Sequence, residues 1–373
     1  MQFRDLKTQY QHLKNDIDRA MLDVAEGGNY IMGSPVKELE TQLAEYVGAK
    51  HCISCANGTD ALTLALKTLN IGKGDAVFVP DFTFFASAEV VALEGATPIF
   101  VDVDTATFNI DCESLKRAIC AVRKDKTLCP KAIIAVDLFG LPADFGRIGV
   151  IAKEEGLFLI EDGAQGFGGH ITGSNKRACG YGDIGTTSFF PAKPLGCYGD
   201  GGAVFTDNDE WAATIESLRV HGKGSNKYDN VRIGMNSRLD TLQAAILKVK
   251  LDAFRKYELT DVNKCAECYS KLLADKPEFI APTVPHGYIS SWAQYTIRLK
   301  VPSQRDTIQA KMRENGIPTM VYYPIPMSQQ TAFKGLHSFI DTPNASMLSK
   351  SVLSLPMHPY LCISDIENVV DCL

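Results

Sequence analysis

The stretch Thr187-Ser188-Phe189-Phe190-Pro191-Ala192-Lys193-Pro194-Leu195-Gly196, continued by Gly199-Asp200-Gly201-Gly202-Ala203, is the most informative part of the sequence. Lys193 stands close to two prolines, after an aromatic strand-like run and before a glycine-rich run that leads into Ala203-Val204-Phe205. This pattern predicts an ordered turn between two strands, which would hold the lysine in one place. A desolvated amine has a lowered pKa and a free lone pair, so it can form a Schiff base with an aldehyde. A surface lysine in a hairpin loop is the other interpretation.

Hydrophobic residues upstream of this turn alternate between two periods, one typical of strands and the other of helices. Strand-like runs cover residues 51–56, 76–80, 98–103, 132–138 and 157–160. Helix-like runs cover residues 6–24, 58–69, 84–93, 111–122 and 144–155, with a further helix that Ser34 would cap and Gly48 would end. Residues 132–136 are continuously apolar, as strands of a parallel sheet covered on both faces must be. The order predicts an α/β fold with a doubly wound, mostly parallel sheet and functional residues at the carboxyl ends of its strands.

The chain lacks glycine and proline between residues 237 and 276, and its apolar residues recur there with a helical period. This pattern predicts one long helix, or two nearly continuous helices, leaving the large domain. Beyond it, a strand-like run at 292–299, a helix at 303–314, a run at 320–323 and a helix at 364–370 indicate a smaller α+β domain. The predicted division is a large domain over residues 1–240 and, over residues 241–373, the linking helix with the small domain.

Composition limits the classes of function. Of 373 residues, 45% are hydrophobic and 22% are charged, and the net charge of −6 does not suggest a nucleic-acid partner. The sequence shows neither a signal-peptide core nor an apolar run of the ~20 residues that a membrane span needs, so we expect a cytoplasmic protein without a membrane partner. Eleven cysteines in such a chain favour reduced thiols. The pairs Cys52/Cys55 and Cys265/Cys268 have the spacing of zinc ligands, but they lie in a strand-like and a helical run, and we expect no metal site.

Two strand ends carry residues that suit a phosphorylated ring cofactor. Asn57-Gly58-Thr59-Asp60 opens a helix, so the backbone N–H groups of Gly58 and Thr59 lie at its positive end, where a phosphate binds well. Asp162 follows an apolar run and offers a carboxylate that can keep a pyridine nitrogen protonated. Taken singly, the first motif is as well explained by a plain Asn-Gly turn, and the second by a cap or an ion pair. Taken with Lys193, they favour pyridoxal 5'-phosphate.

Five ordered motifs run through essentially the whole chain. They are Asn57-Gly58-Thr59-Asp60-Ala61-Leu62, Glu161-Asp162-x-Ala164-Gln165, Ser188-Phe189-x-x-x-Lys193 with Gly201-Gly202, Gly234-x-Asn236-x-Arg238, and Tyr323-Pro324-x-Pro326. Together they resemble the nucleotide-sugar aminotransferases of the DegT/DnrJ/EryC1/StrS family. The lysine motif and Leu355-Pro356-Met357-His358-Pro359-Tyr360 are similar to the branch that aminates the 3-keto group of UDP-2-acetamido-2-deoxy-ribo-hexuluronate. The resemblance implies a fold-type I transferase, similar to aspartate aminotransferase, that depends on pyridoxal phosphate.

The resemblance also implies a role for each matching residue. Lys193 would form the Schiff base and later move the proton, and Asp162 would hold the pyridine nitrogen. The remaining cofactor contacts would be Gly58, Thr59 and Ser188 at the phosphate, Asn236 of the neighbouring subunit at the same phosphate, Gln165 at the phenolic oxygen and Phe84 on the ring face. A phenylalanine of the core is the other interpretation of Phe84.

For the substrate, the resemblance implies a UDP-linked keto-sugar, with L-glutamate giving the amino group and leaving as 2-oxoglutarate, in surface-polysaccharide (O-antigen, lipopolysaccharide) biosynthesis. Arg238 would meet a sugar carboxylate, or instead form a salt bridge at a helix start, and Tyr322 and Tyr323 would line the sugar site. Relatives often carry histidine where Tyr322 stands, which leaves other nucleotide-linked 3-keto or 4-keto sugars open. The shared phosphate site implies a homodimer.

Three further interpretations compete with the aminotransferase. One is other cofactor chemistry on the same fold, such as cysteine desulfuration or decarboxylation, which would need activity on a free amino acid without a keto-sugar acceptor. A sugar dehydratase of the same family has histidine in place of the lysine, so Lys193 argues against it. A non-catalytic regulatory protein is the candidate from a different class, but it would need a surface for a nucleic acid or another partner. The acidic net charge does not favour such a surface.

Overall fold

The computed structural model describes residues 1–226 and 228–373. Its strands are β1 His51–Cys55, β2 Asp75–Pro80, β3 Thr97–Val101, β4 Cys129–Val136, β5 Phe158–Asp162, β6 His170–Ile171, β7 Ile184–Ser188, β8 Gly202–Thr206, β9 Phe279–Ile280, β10 Tyr288–Ile289, β11 Tyr295–Leu299 and β12 Val352–Leu355. Seven of them form the central sheet in the order β1-β8-β7-β5-β4-β2-β3. Only β8 runs antiparallel to its neighbours in that sheet, so the predicted mostly parallel α/β sheet is confirmed.

Helices cover the sheet and build the rest of the described chain. They are α1 Leu6–Gly27, α2 Ser34–Val47, α3 Gly58–Thr68, α4 Ala86–Leu93, α5 Cys112–Asp125, α6 Phe145–Glu155, α7 Asp209–Leu218, α8 Thr241–Ala253, α9 Leu259–Leu273, α10 Arg305–Glu314, α11 Pro343–Ser351 and α12 Ile363–Cys372. Among the described residues, no helix has both the length and the apolar character to cross a membrane.

The N-cap residue of α2 differs from the one predicted. Gly33, not Ser34, is the N-cap, and its backbone is extended. A β-carbon at Gly33 would lie 2.8 Å from the Cγ2 atom of Thr241 in α8, while the Gly33 N–H donates to the Thr241 hydroxyl at 3.1 Å. The sequence pattern favoured serine as a cap, but the close approach of α2 to α8 requires glycine at the preceding position.

The apolar residues of β4 explain why the sheet has two covered faces. Ala132, Ile134 and Val136 belong to the core on one face, whereas Ile133 and Ala135 belong to the core on the other. All five side chains are buried. A continuous apolar run is what a central parallel strand needs when helices pack on both of its sides.

The long glycine-free run forms two nearly continuous helices, as predicted. A π-helical turn at Phe254–Glu258 joins α8 to α9. The first of these helices packs against α1 and α2, and the second against α12. A separate hydrophobic core lies around α9, α12 and the sheet of β9, β11 and β12. The domain division at residue 240 stays a prediction.

Two parts of the small C-terminal region differ from the sequence expectation. Residues 320–323 form no strand, and Met320 makes an isolated bridge to Ser354 instead. β11 pairs with β9 on one side and, on the other, with β12, which directly follows α11. Neither β12 nor α11 was predicted, because a four-residue apolar strand after a short helix has too little periodicity to be recognised.

Candidate active site

One cavity of about 490 Å³ gathers most of the residues that the sequence singles out. It lies where the carboxyl ends of β5 and β7, the start of α3 and the lysine turn meet. The predicted residues that line it are Gly58, Thr59, Phe84, Asp162, Gln165, Ser188, Lys193, Tyr322 and Tyr323. Strand ends on one edge of a parallel sheet are the usual place for such a cavity.

The lysine turn is ordered, as its prolines predict. The backbone N–H of Lys193 donates to the Phe190 carbonyl at 2.8 Å, and Cys197 closes the turn by donating to Phe189 at 2.7 Å. A β-carbon at Gly196 would lie 2.4 Å from the Pro191 carbonyl oxygen, so the turn leaves no room for another residue there. Burial lowers the pKa of the Lys193 amine, and the nearby Asp162 carboxylate opposes that shift. A neutral, nucleophilic amine is therefore more accessible here than in water.

Asp162 ends β5 with its carboxylate directed to the same cavity. One oxygen accepts a hydrogen bond from the Ser87 hydroxyl at 2.7 Å, and the other accepts from the Ala164 backbone N–H at 3.2 Å. Burial raises the pKa of Asp162, while these two donors and the charge of Lys193 favour the ionised form. Because burial is the larger effect, the pKa of Asp162 stays raised, and a cationic donor in the cavity would favour its ionised form.

The start of α3 offers a cradle for an anion. Asn57 caps the helix by accepting from the Asp60 N–H at 2.8 Å, which leaves the N–H groups of Gly58 and Thr59 at the helix end. A β-carbon at Gly58 would lie 2.7 Å from the Cβ atom of Ser188. Only glycine lets the helix start approach β7 this closely, so the backbone and the Ser188 hydroxyl face one space.

The wall opposite the lysine contains aromatic rings and an amide. Phe84 has 53% of its surface exposed, and its ring centroid lies 6.2 Å from that of Tyr323. Gln165 accepts from the Phe139 N–H at 2.8 Å and donates to the Tyr323 hydroxyl at 2.9 Å. Since that hydroxyl accepts from Gln165, its own proton is available for a group in the cavity. The exposure of Phe84 argues against a core phenylalanine.

Two predicted site residues lie outside this cavity. Asn236 is exposed, and its backbone forms a bridge with Val220. Arg238 is half-buried and lines a second cavity of about 600 Å³ together with Met32 and His221. Within one chain, neither residue lines the cavity of Lys193.

Sequence reasoning missed three residues that line or support the first cavity. Ser87 bonds Asp162, Asp200 lines the cavity wall, and Gln294 reaches it from the start of β11. No described residue bonds the buried Oε1 atom of Gln294. Ser87 and Gln294 stand as single polar residues in apolar runs, which is a weak signal, because only the tertiary structure shows what they face.

Comparison with known proteins identifies one family. The profile of the DegT/DnrJ/EryC1/StrS aminotransferase family matches residues 11–373. A UDP-2-acetamido-2-deoxy-3-oxo-D-glucuronate aminotransferase from Pseudomonas aeruginosa is 44% identical over 373 residues, which cover 100% of this chain and 99% of the relative.

Solved structures agree with this match. A DegT DnrJ EryC1 StrS aminotransferase from Brucella abortus has a TM-score of 0.96 and 48% identity, with 100% of this chain and 98% of the other covered. DesV from S. venezuelae, solved in complex with a ketimine intermediate, has a TM-score of 0.92 and 33% identity, with coverage of 100% and 96%.

Proposed function

Because the chain belongs to the DegT/DnrJ/EryC1/StrS aminotransferase family, we propose that it transfers an amino group from L-glutamate to C3 of a UDP-linked 2-acetamido-2-deoxy-3-keto-hexuronate. The observation that carries this proposal is the cavity in which the Lys193 amine, the Asp162 carboxylate and the start of α3 meet. The choice of sugar is supported by the name of the relative from Pseudomonas aeruginosa.

The residues of the cavity fit pyridoxal 5'-phosphate. The tight approach of Gly58 to Ser188 leaves a space bordered by backbone N–H groups and a hydroxyl, which suits a phosphate. Asp162 suits a protonated ring nitrogen, and the exposed face of Phe84 suits the ring itself. When bound, this cofactor supplies an aldehyde that condenses with amines and a protonated ring that accepts electrons from the adjacent carbon.

Four side chains of the cavity have distinct proposed roles. Lys193 Nζ, whose pKa burial lowers, would hold the cofactor at its aldehyde group and would carry a proton between the substrate carbon and a neighbouring position. Asp162 would hold the protonated ring nitrogen, since its carboxyl group already accepts from Ser87 and Ala164 and borders the cavity, where a cationic partner would favour its ionised form. Gln165 and Tyr323 offer N–H and O–H donors that orient the bound molecule.

We propose that two copies of the chain complete each site. The partner subunit's Asn236 would reach the phosphate, and the partner subunit's Arg238 would bind the sugar carboxylate through its guanidinium. The apolar surface near these residues supports a subunit contact: Ile233 is 90% exposed, and Val231 and Ile31 are exposed as well. Exposed apolar residues grouped in this way are typical of surfaces that are covered in an oligomer.

The sugar-binding side of the cavity supports a polar, amide-bearing substrate. Tyr322, Tyr323 and Gln294 line it, and the Gln294 carbonyl oxygen has no bond within the described chain. That oxygen can accept from a hydroxyl or from the N–H of an acetamido group. A nucleotide-linked 4-keto sugar is the second candidate, because Tyr322 is a departure from the 3-keto branch that the sequence resembles.

We place the reaction in the cytoplasm and in surface-polysaccharide biosynthesis. All eleven cysteines belong to the described residues and are free thiols, which is consistent with a reducing compartment.

A substrate panel tests the proposed function. The purified protein is incubated with UDP-linked 3-keto and 4-keto sugars and with several amino donors, and the products are identified by mass spectrometry. We expect an amino-sugar product from the 3-keto-hexuronate with L-glutamate, and none from the Lys193→Ala variant. Product from a 4-keto sugar alone would move the proposal to the second candidate, and the absence of any amino-sugar product would refute it.

A further inference from the structure

The segment before α1 reaches the lysine turn from outside the cavity. One guanidinium nitrogen of Arg4, Nη2, donates to the Lys193 carbonyl at 3.0 Å and to the Pro194 carbonyl at 3.2 Å. These are the carbonyls of the reactive residue and of the residue that follows it. Arg4 is half-buried, so the two bonds are partly protected from competition with water.

A buried carboxylate balances the charge of this guanidinium. Glu258, only 3% exposed, lies in the π-helical turn between α8 and α9. It accepts hydrogen bonds from Gln9 at 2.8 Å and from the Tyr360 hydroxyl at 2.6 Å, which fix its position. Burial lowers the pKa of Arg4, but the Glu258 charge opposes that shift and keeps the guanidinium ionised. The buried Lys250 side chain also interacts electrostatically with the Glu258 carboxylate.

The same segment contacts two other parts of the site. The Phe3 carbonyl accepts from the Met357 N–H at 3.1 Å, and the Phe3 ring lies 6.2 Å from the ring of Tyr322 in the cavity wall. Residues 3 and 4 therefore join the lysine turn, the cavity wall and the C-terminal region. A displacement of this segment would move the lysine relative to the wall that faces it.

We propose that Arg4 is a positioning residue, which holds the Lys193 and Pro194 carbonyls and thereby sets where the Lys193 amine lies in the cavity. The proposal rests on the proposed function for its kinetic consequence, but not for its structural one. The two bonds made by Arg4 fix the carbonyl side of the turn, while the Phe190 and Cys197 bonds fix the other side. A reactive group must stay within about 0.5 Å of its productive position, and a misplacement of about 1 Å can cost roughly a hundredfold in rate.

Two measurements on the holoenzyme test this role in Arg4→Met, with Arg19→Met as the matched control. Arg19 lies on α1, is exposed and pairs only with Asp23 among the described residues, so its loss should change neither measurement. We expect Arg4→Met to lower kcat by about 10- to 100-fold with KM changed less than threefold. Amide hydrogen exchange should become faster in the peptide that covers residues 187–199 and stay unchanged in the strands of the central sheet.

Faster exchange throughout the protein, with kcat per folded molecule unchanged, would overturn the proposal, because Arg4 would then contribute only to overall stability. If Arg4→Met does not fold, Arg4→Gln replaces it, since that side chain is polar but too short to reach both carbonyls. If the amide hydrogens of residues 187–199 exchange as slowly in folded Arg4→Gln as in the wild-type protein, the proposal is also overturned. Failure of the proposed function would appear differently: the wild-type protein would aminate no keto-sugar, while the exchange result would still decide the role of Arg4.

Discussion

At the scale of single residues, His358 is a buried imidazole that titrates outside its usual range. The side chain is 4% exposed, and burial together with the charge of Arg4 lowers its pKa to about 4. In the unfolded chain the pKa is about 6.5, so the unfolded state takes up the proton first as the pH falls. The contribution of His358 to stability is therefore complete above about pH 6.5 and is lost as the pH falls towards 4.

We therefore predict that the wild-type protein and His358→Gln differ less in free energy of unfolding as the pH falls. We expect the difference in free energy of unfolding, measured with urea at four pH values from 7.5 to 4.5, to shrink by up to roughly 3 kcal/mol. The comparison is needed because buried carboxyls such as Asp81 and Asp162 have raised pKa values, which change stability in the opposite direction. Parallel pH profiles for the two proteins would show that His358 is not the titrating group.

Asp162 is the residue whose charge matters most to the proposed chemistry. Asparagine keeps its size and can still accept from Ser87, but a neutral amide cannot keep a ring nitrogen protonated. We expect Asp162→Asn to bind the cofactor and to lose several powers of ten in kcat, or roughly 3–6 kcal/mol at ~1.4 kcal/mol per tenfold. Single-turnover kinetics with L-glutamate would measure it. A loss below tenfold would mean that Asp162 is structural.

At the scale of elements, the junction of α3 with β7 depends on one missing β-carbon. In Gly58→Ala, the new methyl group would lie 2.7 Å from the Ser188 Cβ atom, which is fixed to a central strand and cannot turn away. We expect α3 to shift from β7, cofactor affinity to fall at least tenfold and stability to fall by about 1–3 kcal/mol. Dialysis against cofactor-free buffer, followed by absorbance, measures the affinity.

A matched control exists in a helix that packs on the same sheet. Gly149 lies inside α6, and a β-carbon there would meet no atom within 4 Å. Gly149→Ala should keep its cofactor and gain a few tenths of a kcal/mol or more, because alanine favours the helix. Equal cofactor loss in both variants would refute the steric argument for Gly58.

The elements also show what the sequence could and could not predict. Local signals were sufficient for the existence of the apolar strand β4 and for the Asn57-capped helix α3. The bounds of β4 were predicted less well: the strand covers residues 129–136 and not 132–138, because its first residues do not belong to the continuous apolar run. Local signals failed for β12, which is recognisable only as the partner of β11, and for Gly33, whose role depends on contact with Thr241. They also missed Arg4 and Gln294, since a polar residue acquires its role from neighbours that are distant in the chain.

At the scale of the whole molecule, the positions of Asn236 and Arg238 favour a shared site. Both belong to the motif Gly234-x-Asn236-x-Arg238, yet neither lines the cavity of Lys193 in its own chain. Among the residues that the structure describes, Lys193 is the only cationic side chain lining the cavity, and a sugar carboxylate with two phosphates calls for more positive charge. A second copy that adds its own Asn236 and Arg238 would meet that need.

Subunit mixing tests the shared site directly. In a mixed dimer of Lys193→Ala and Asn236→Ala proteins, one site would carry both lesions and the other would carry neither. When equal amounts of the two nearly inactive proteins exchange subunits at random, about half of the dimers should be mixed. About a quarter of all sites should then be intact, so about a quarter of the wild-type activity should return. Tagging each parent differently and purifying the doubly tagged dimers should raise that fraction to about a half. If mixed dimers form but remain inactive, Asn236 acts within its own subunit, because each site would then carry one lesion. The proposed role of Lys193 would be unaffected by that result.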